Sequence, residues 1–242
     1  YSYTFGLFPT IELVKSKKSK LIALILSEKL NKTQEIENII QIAKTENAEI
    51  IESSKQIDAL GAKDNCYLVG VFKKYKEHIE NGNHVVLVSP TDSGNLGTII
   101  RTMIGLNINN LAIIENGKDT QNKVELEKSN TSVDIFNPKT IRASMGSIFN
   151  INIEYFKNYD EYESKFKQNT KYAFCLEGEK YLQEGTKTSN NYSLIFGNEA
   201  TGLPDNIINK CEKIKIRQSE KIDSYNLAIS VAMAIYEFTK KE

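Results

Sequence analysis

Residues 84–104 read HVVLVSPTDSGNLGTIIRTMI. An apolar run ends at Ser89 and gives way to Pro90, Asp92, Ser93, Gly94, Asn95 and Gly97, a dense set of turn formers. Such residues mark a loop by mechanism, because each tolerates or presets a backbone geometry that other residues avoid. Beyond them Ile99, Ile100, Met103 and Ile104 return at helical spacing. The stretch therefore reads as a strand over 84–89, a tight loop, and a helix over 96–106. Asn95 and Gly97 shape the loop, and Arg101 projects from the first helical turns. A helix N-terminus favours anions, and a guanidinium adds a planar fork for phosphate. The loop is neither G-x-G-x-x-G nor a Walker sequence.

Working outward, the same alternation recurs. Further strands are expected at 110–115, 152–156, 171–176, 193–197 and 212–217, with helices at 138–147, 159–168, 204–210 and 224–240. Strands separated by helices give an α/β fold with a mostly parallel sheet covered on both faces. Toward the N-terminus LIALILSE (21–28), AEIIESS and YLVGVFKK read as strands. KTQEIENIIQIAKTEN (32–47) and SKQIDALGA read as helices, the second starting at a serine cap. The polar stretch YKEHIENGNH (75–84) contains Asn-Gly-Asn and marks a boundary near residue 80. Two domains are expected, 1–80 and 81–242.

Composition narrows the function classes. The 242 residues are 40% hydrophobic and 26% charged, ordinary for a soluble globular protein. No apolar run approaches the roughly 20 residues of a membrane span. YSYTFGLFPT, the opening stretch, lacks a basic segment and a long apolar core, so no signal peptide is expected in it. Residue 1 is not Met, and the natural start is expected to have been trimmed. Cys66, Cys175 and Cys211 are odd in number and far apart, which fits a reducing, cytoplasmic setting. With only His78 and His84 beside them, no structural zinc is expected. Net formal charge is zero, so any phosphate-binding face must be local. The run KSKKSK (15–20) is one candidate; a solvated surface is the plainer account.

Two more loops follow apolar strands. In SLIFGNEATGLP (193–204), Gly197 and Gly202 flank Asn198 and Glu199, and Pro204 opens the next helix. Glu199 could anchor a ligand or Arg101 by hydrogen bonds, or be a solvated turn residue. In IRQSEKIDSYNLAISVAMAIYEF (216–238), a polar loop leads to Ser224, a good helix N-cap, and to Asn226 in the first turn. In open α/β sheets, ligands bind beyond the carboxyl ends of the strands, where all three loops lie.

The set NLGTIIR, FGNEATGL and SYNLAISVAMAIYE resembles, in order and spacing, the three motifs of the SpoU/TrmH family of RNA ribose 2′-O-methyltransferases (SPOUT superfamily). RASMGSIFNINI (142–153) resembles the segment between the first and second motifs. The first 75 or so residues, including GLFPTIELVKS, resemble the L30e-like substrate-binding domain of ribosomal-RNA members. The resemblance implies a deep trefoil knot in the C-terminal part of the sheet, an S-adenosylmethionine site within it, and a homodimer packed through it. It carries Asn95 and Arg101 over as the catalytic pair of the first motif, Glu199 as the second-motif carboxylate, and Ser224 and Asn226 as the polar pair of the third. Cofactor contacts would come from Leu176, Glu177, Gly178, Gly197, Ile216, Tyr225 and Leu227. Two positions depart from the pattern: Ala228, where many relatives have a second serine, and Tyr225, where leucine is common.

The implied reaction moves a methyl group from a sulfonium to a ribose 2′-hydroxyl. The sulfonium is already activated, so no metal is expected. The demands are in-line placement and stabilisation of a developing oxyanion. A guanidinium rarely loses its proton. Arg101 is therefore expected to hold the adjacent phosphate and the 2′-oxygen, with phosphate or water taking the proton. Ribosomal RNA is the favoured substrate and transfer RNA the alternative, selected by the N-terminal domain. Two rivals stand beside this reading: a non-catalytic RNA-binding protein, motivated by Ala228, and a Rossmann-type nucleotide enzyme, which SPTDSGNLG fits poorly.

Overall fold

The computed structural model describes residues 1–62, 65–115, 133–178, 180–184 and 191–240. In chain order the strands and helices are β1 (Ser2–Phe5), α1 (Leu7–Lys17), β2 (Leu21–Leu26), α2 (Gln34–Thr45), β3 (Glu49–Glu52), α3 (Ser54–Ala59), β4 (Leu68–Phe72), β5 (His84–Val88), α4 (Ser93–Gly105), β6 (Asn110–Ile114), α5 (Pro138–Ala143), β7 (Asn152–Phe156), α6 (Tyr159–Lys165), β8 (Thr170–Phe174), β9 (Lys180–Tyr181), β10 (Tyr192–Phe196), α7 (Asp205–Ile208), β11 (Glu212–Lys215) and α8 (Leu227–Thr239). They form two compact units, Tyr1–Lys76 with Asp134–Asn150, and Glu77–Val133 with Ile151–Glu242. A single boundary near residue 80 leaves Asp134–Asn150 with the second group of elements; in the structure that segment packs in the first unit.

The first unit holds a four-stranded sheet in the order β1-β4-β2-β3. β4 runs antiparallel to both β1 and β2, and only β2 and β3 are parallel. β1 and α1 are additions to the alternation expected from the sequence. α1 buries Pro9, Thr10, Ile11, Leu13 and Val14; Pro9 lies in its first turns, where a missing N–H costs nothing. The returning segment supplies Phe136 and Phe149, which meet Phe72 edge-on at 5.6 and 5.3 Å between ring centroids. Lys15 pairs with Glu35 and Lys18 with Glu46, so the expected basic run is partly neutralised within its own unit.

The second unit holds a seven-stranded sheet in the order β7-β6-β5-β10-β8-β11-β9, and every pairing in it is parallel. β5, β6 and β10 are buried along their whole length, as continuous Val, Ile and Leu runs require in a sheet covered on both faces. From β5 the chain moves outward through β6 and β7, then crosses to build β8, β10 and β11 on the other side. The direction of winding thus reverses where β5 meets β10, and the loops after these two strands lie side by side. On one face α4 and α8 pack together. α4 contributes buried Leu96, Ile99, Ile100 and Met103, and α8 contributes Ala228, Val231, Ala234 and Ile235. Ala228 and Ala234 keep α8 slim enough for that close approach.

Candidate active site

α4 begins at Ser93, three residues before the position expected from the turn formers. The Asp92 carboxylate is its N-cap and accepts from the Asn95 N–H at 2.6 Å. Asn95 and Gly97 are therefore in the first turns of the helix rather than in a loop before it. That places the Asn95 side chain beside the loop after β10. Gly197 starts that loop, and a Cβ there would fall 2.1 Å from the Gly202 carbonyl carbon. The close approach of the two backbones needs glycine. Asn198 closes the turn: its amide donates to the Ser89 carbonyl at 2.8 Å, and its Oδ1 accepts from Ala200 N–H at 2.9 Å. The loop after β10 is thereby tied to the end of β5.

Glu199 is fixed by this tie, and its carboxylate is occupied on both oxygens. Oε2 accepts from the Thr91 N–H at 3.2 Å and the Thr91 hydroxyl at 3.0 Å. Oε1 accepts from the Asp92 N–H at 3.2 Å and the Asn95 amide at 3.3 Å. Partial burial pushes the Glu199 carboxyl up, but its own backbone N–H and those donors outweigh this and hold it below the ordinary carboxylate value. The sequence suggests Glu199 as an anchor for a ligand or Arg101; in the structure its hydrogen bonds go instead to Thr91, Asp92 and Asn95 at the N-terminus of α4.

The third loop joins the same network. Asn226 donates from Nδ2 to Asn95 Oδ1 at 2.9 Å, while its own Oδ1 accepts from Ala228 N–H at 2.9 Å and Ile229 N–H at 3.4 Å. Asn226 is thus the N-cap of α8, which starts at Leu227. The expectation that Ser224 caps a helix beginning there is corrected. Ser224 is exposed and lies outside the helix, two residues before Asn226, and the asparagine side chain reaches both first-turn N–H groups. Ala228 is buried, at 4% exposure. Glu199, Asn95 and Asn226 form one continuous chain of hydrogen bonds; Arg101 lies on α4, exposed and without an ion-pair partner among the described residues.

Of the seven residues expected at a cofactor, five follow three neighbouring strands, and Tyr225 and Leu227 flank Asn226 at the start of α8. Leu176, Glu177 and Gly178 follow β8, Gly197 follows β10, and Ile216 follows β11, strands adjacent in the order β10-β8-β11. A Cβ on Gly178 would lie 2.6 Å from both the Ile214 carbonyl carbon and the Lys215 nitrogen. Leu176 is 64% exposed, an unusual state for a leucine next to a strand end. Ile216 and Tyr225 are half-buried and Leu227 is buried. The set is backbone amides and apolar side chains with one carboxylate and no cation. That chemistry fits a neutral adenosyl group attached to a positive sulfur.

Sequence reasoning missed Thr91, Asp92 and Asn198 as partners of the site. Asp92 before a helical run was a cap signal in plain view; the Thr91–Glu199 contact spans 108 residues and had no local sign. Among the described residues no group of three or more His, Cys, Asp or Glu is set to hold a metal, and no helix is long and apolar enough to cross a membrane.

Residues 119–236 match the SpoU rRNA Methylase family. The tRNA (cytidine-2'-O-)-methyltransferase TrmJ of Methanocaldococcus jannaschii is 28% identical over 163 residues, 65% of this chain and 67% of that one. The 23S rRNA (guanosine(2553)-2'-O)-methyltransferase RlmP of Bacillus subtilis is 26% identical over 165 residues, covering 66% of this chain and 60% of the relative. Over nearly the whole chain, 98% of this one and 85% of the other, the fold matches the crystal structure of an AdoMet-bound rRNA methyltransferase from Sinorhizobium meliloti, with a TM-score of 0.78 at 23% identity.

Proposed function

We propose that the protein is an S-adenosylmethionine-dependent RNA 2′-O-methyltransferase whose substrate is ribosomal RNA; the match of residues 119–236 to the SpoU rRNA Methylase family supports this reading. The observation that carries the assignment of its site is the hydrogen-bonded chain Glu199–Asn95–Asn226, which joins all three sequence motifs at the ends of β5 and β10. The cofactor, when bound, supplies a methyl group already activated on a sulfonium. The protein's part is to hold the ribose in line with it and to stabilise the oxygen that attacks.

Leu176, Gly178, Gly197, Ile216, Tyr225 and Leu227 would hold the adenosyl and methionine parts, largely through backbone, with Glu177 at the rim. Arg101 would grip the phosphate next to the target and the 2′-oxygen with its planar fork. Glu199 is unsuited to take the proton, because four donors already occupy its oxygens and keep it a weak base. Its role is to fix Asn95. The proton goes to phosphate or water. Ser224, exposed beside Asn226, would meet the RNA or the cofactor rather than cap α8.

The first unit would select the RNA as an L30e-like module; its α/β sheet and its exposed lysines support that role. A homodimer through α8 is supported by two large exposed side chains one heptad apart, Ile229 at 50% and Tyr236 at 63% exposure. A trefoil knot is supported by the late entry of β10 between β5 and β8 and by the return of α8 onto α4 and β10. The cytoplasm is the compartment that three free cysteines suit. Incubation with methyl-labelled S-adenosylmethionine and unmodified ribosomal or transfer RNA, followed by digestion to nucleosides, tests the function. Label in 2′-O-methylribose from ribosomal RNA is expected. Label only in transfer RNA would overturn the choice of substrate, and binding of both ligands without transfer would favour the non-catalytic reading.

A further inference from the structure

Two cations converge on one aromatic ring at the end of β11. The Lys215 Nζ lies 4.5 Å and the Arg217 Cζ 4.8 Å from the centroid of Tyr181. The sheet places the first of them: Lys215 is in register with Tyr181 across the β11–β9 pair, and Arg217 follows two residues beyond the end of β11. Its backbone is held from both directions, by the Gln183 side chain on its N–H at 3.2 Å and by the Tyr225 hydroxyl on its carbonyl at 3.4 Å.

What sets this cluster apart is charge. Lys165 lies over Phe156 and Phe166 but also pairs with Glu154, and Lys210 lies over Tyr159 but also pairs with Asp160 and Glu163. Lys215 and Arg217 have no ion pair among the described residues. The neighbouring carboxylates are engaged elsewhere: Glu212 with Lys180, and Glu184 with the Tyr181 N–H. Two like charges over one ring without a counter-ion among the described residues make a local positive field that favours an anion there. A guanidinium carries a planar fork of N–H donors that can take phosphate oxygens in two places.

Resting on the methyltransferase reading, we infer that Lys215, Arg217 and Tyr181 form a docking surface for the phosphates of the single-stranded RNA that carries the target nucleotide. Position supports RNA over an acidic protein. Ile216, between the two cations, belongs to the expected cofactor segment, and Tyr225, which touches Arg217, precedes Asn226, which touches Asn95. A strand whose ribose reaches Asn95 and Arg101 would continue along this row. Phosphate contacts position a nucleic acid without reading its sequence.

The test compares the full chain with a Lys215→Gln/Arg217→Gln double variant. A fluorescein-labelled oligouridylate is titrated by anisotropy across a salt series, S-adenosylmethionine by calorimetry, and methyl transfer is followed on ribosomal RNA. The expected result is a loss of RNA affinity of about tenfold and a salt slope shallower by about 0.7 per lost contact, with cofactor affinity unchanged. Unchanged RNA affinity and slope would overturn the surface. Equal competition by polyglutamate at matched charge would also overturn it, as attraction by charge alone. Tyr181→Ala is expected to weaken RNA binding and Tyr181→Phe to retain it. If the wild-type chain transfers no methyl group to any RNA while the double variant still loses RNA affinity, the surface stands and the enzymatic reading fails.

Discussion

Thr91 directs both its backbone N–H and its hydroxyl at a single oxygen, Oε2 of Glu199. That leaves Oε1 to Asp92 and Asn95, so the threonine decides which way the carboxylate faces and, through it, how the Asn95 amide is turned. Thr91→Val keeps the N–H bond and the volume but removes the hydroxyl. Turnover is expected to fall several-fold with the KM for cofactor unchanged, while Thr91→Ser restores it. A loss confined to stability, equal in both variants, would show that the contact is a plain strut. The hydroxyl is exposed, so its deletion should cost no more than about 1 kcal/mol of stability.

Asn226 has two tasks that mutation can separate. Its Oδ1 caps α8 and its Nδ2 holds Asn95. Asn226→Ala loses both and should cost about 1 kcal/mol in denaturant titration together with activity. Asn226→Asp keeps the cap but sets an acceptor against Asn95 Oδ1. Stability close to wild type with activity lost is the expected outcome; full activity in the aspartate variant would show that the Asn226–Asn95 bond is dispensable.

Much of the parallel sheet was legible in the sequence, because strands buried on both faces are written as unbroken apolar runs such as Val85–Val88 and Leu111–Ile114. The strand order was not. β10 pairs with β5 across more than a hundred residues, and no local pattern records that. β1 and α1 were invisible for a different reason: SYTF is too short to show alternation, and Pro9 reads as a breaker unless the helix is known to start at Leu7. At the site, Asn95, Glu199 and Asn226 stood in recognisable motifs and do meet. Ser224 and Asn226 are both good capping types, and residue type alone does not separate them; in the structure the Asn226 Oδ1 accepts from two N–H groups of α8.

Gly197 and Gly178 should not tolerate even a methyl group. At Gly197 a Cβ would meet the backbone of Gly202 at 2.1 Å, and at Gly178 the backbone of Ile214 at 2.6 Å. Neither obstacle is a flexible side-chain end, so the loops must move. Each alanine variant is expected to lose about 1–3 kcal/mol and to weaken binding of S-adenosylmethionine, measured by calorimetry on folded protein. Gly61→Ala is a control: nothing lies within 4 Å of its Cβ position, although its φ of +73° carries strain.

Arg101 is exposed on α4 with no ion pair among the described residues, so its removal should leave the fold alone. Arg101→Ala is expected to keep the melting temperature and to lose methyl transfer on the order of a hundredfold or more. Arg101→Lys separates charge from geometry. A lysine variant with nearly full turnover would show that a planar, two-pronged grip is not required.

His84 provides a pH test remote from the site. It lies fully buried at the start of β5, between the Tyr162 hydroxyl at 2.9 Å and the Glu80 carbonyl at 2.7 Å. Burial pushes its pKa below the ordinary 6.5, and the bond to Glu80 only partly opposes this. The folded chain therefore takes up the proton at lower pH than the unfolded chain. The stability contributed by neutral His84 is fully present above about pH 6.5 and is lost as pH falls from there toward the lower folded value. Urea midpoints should decline between neutral pH and about pH 5.5, a range above the titration of ordinary carboxylates. His84→Gln should be less stable at neutral pH, since it disturbs the bonds to Tyr162 and Glu80, and should show a flatter profile across that range. An equally steep decline in the glutamine variant would assign the pH dependence to another group.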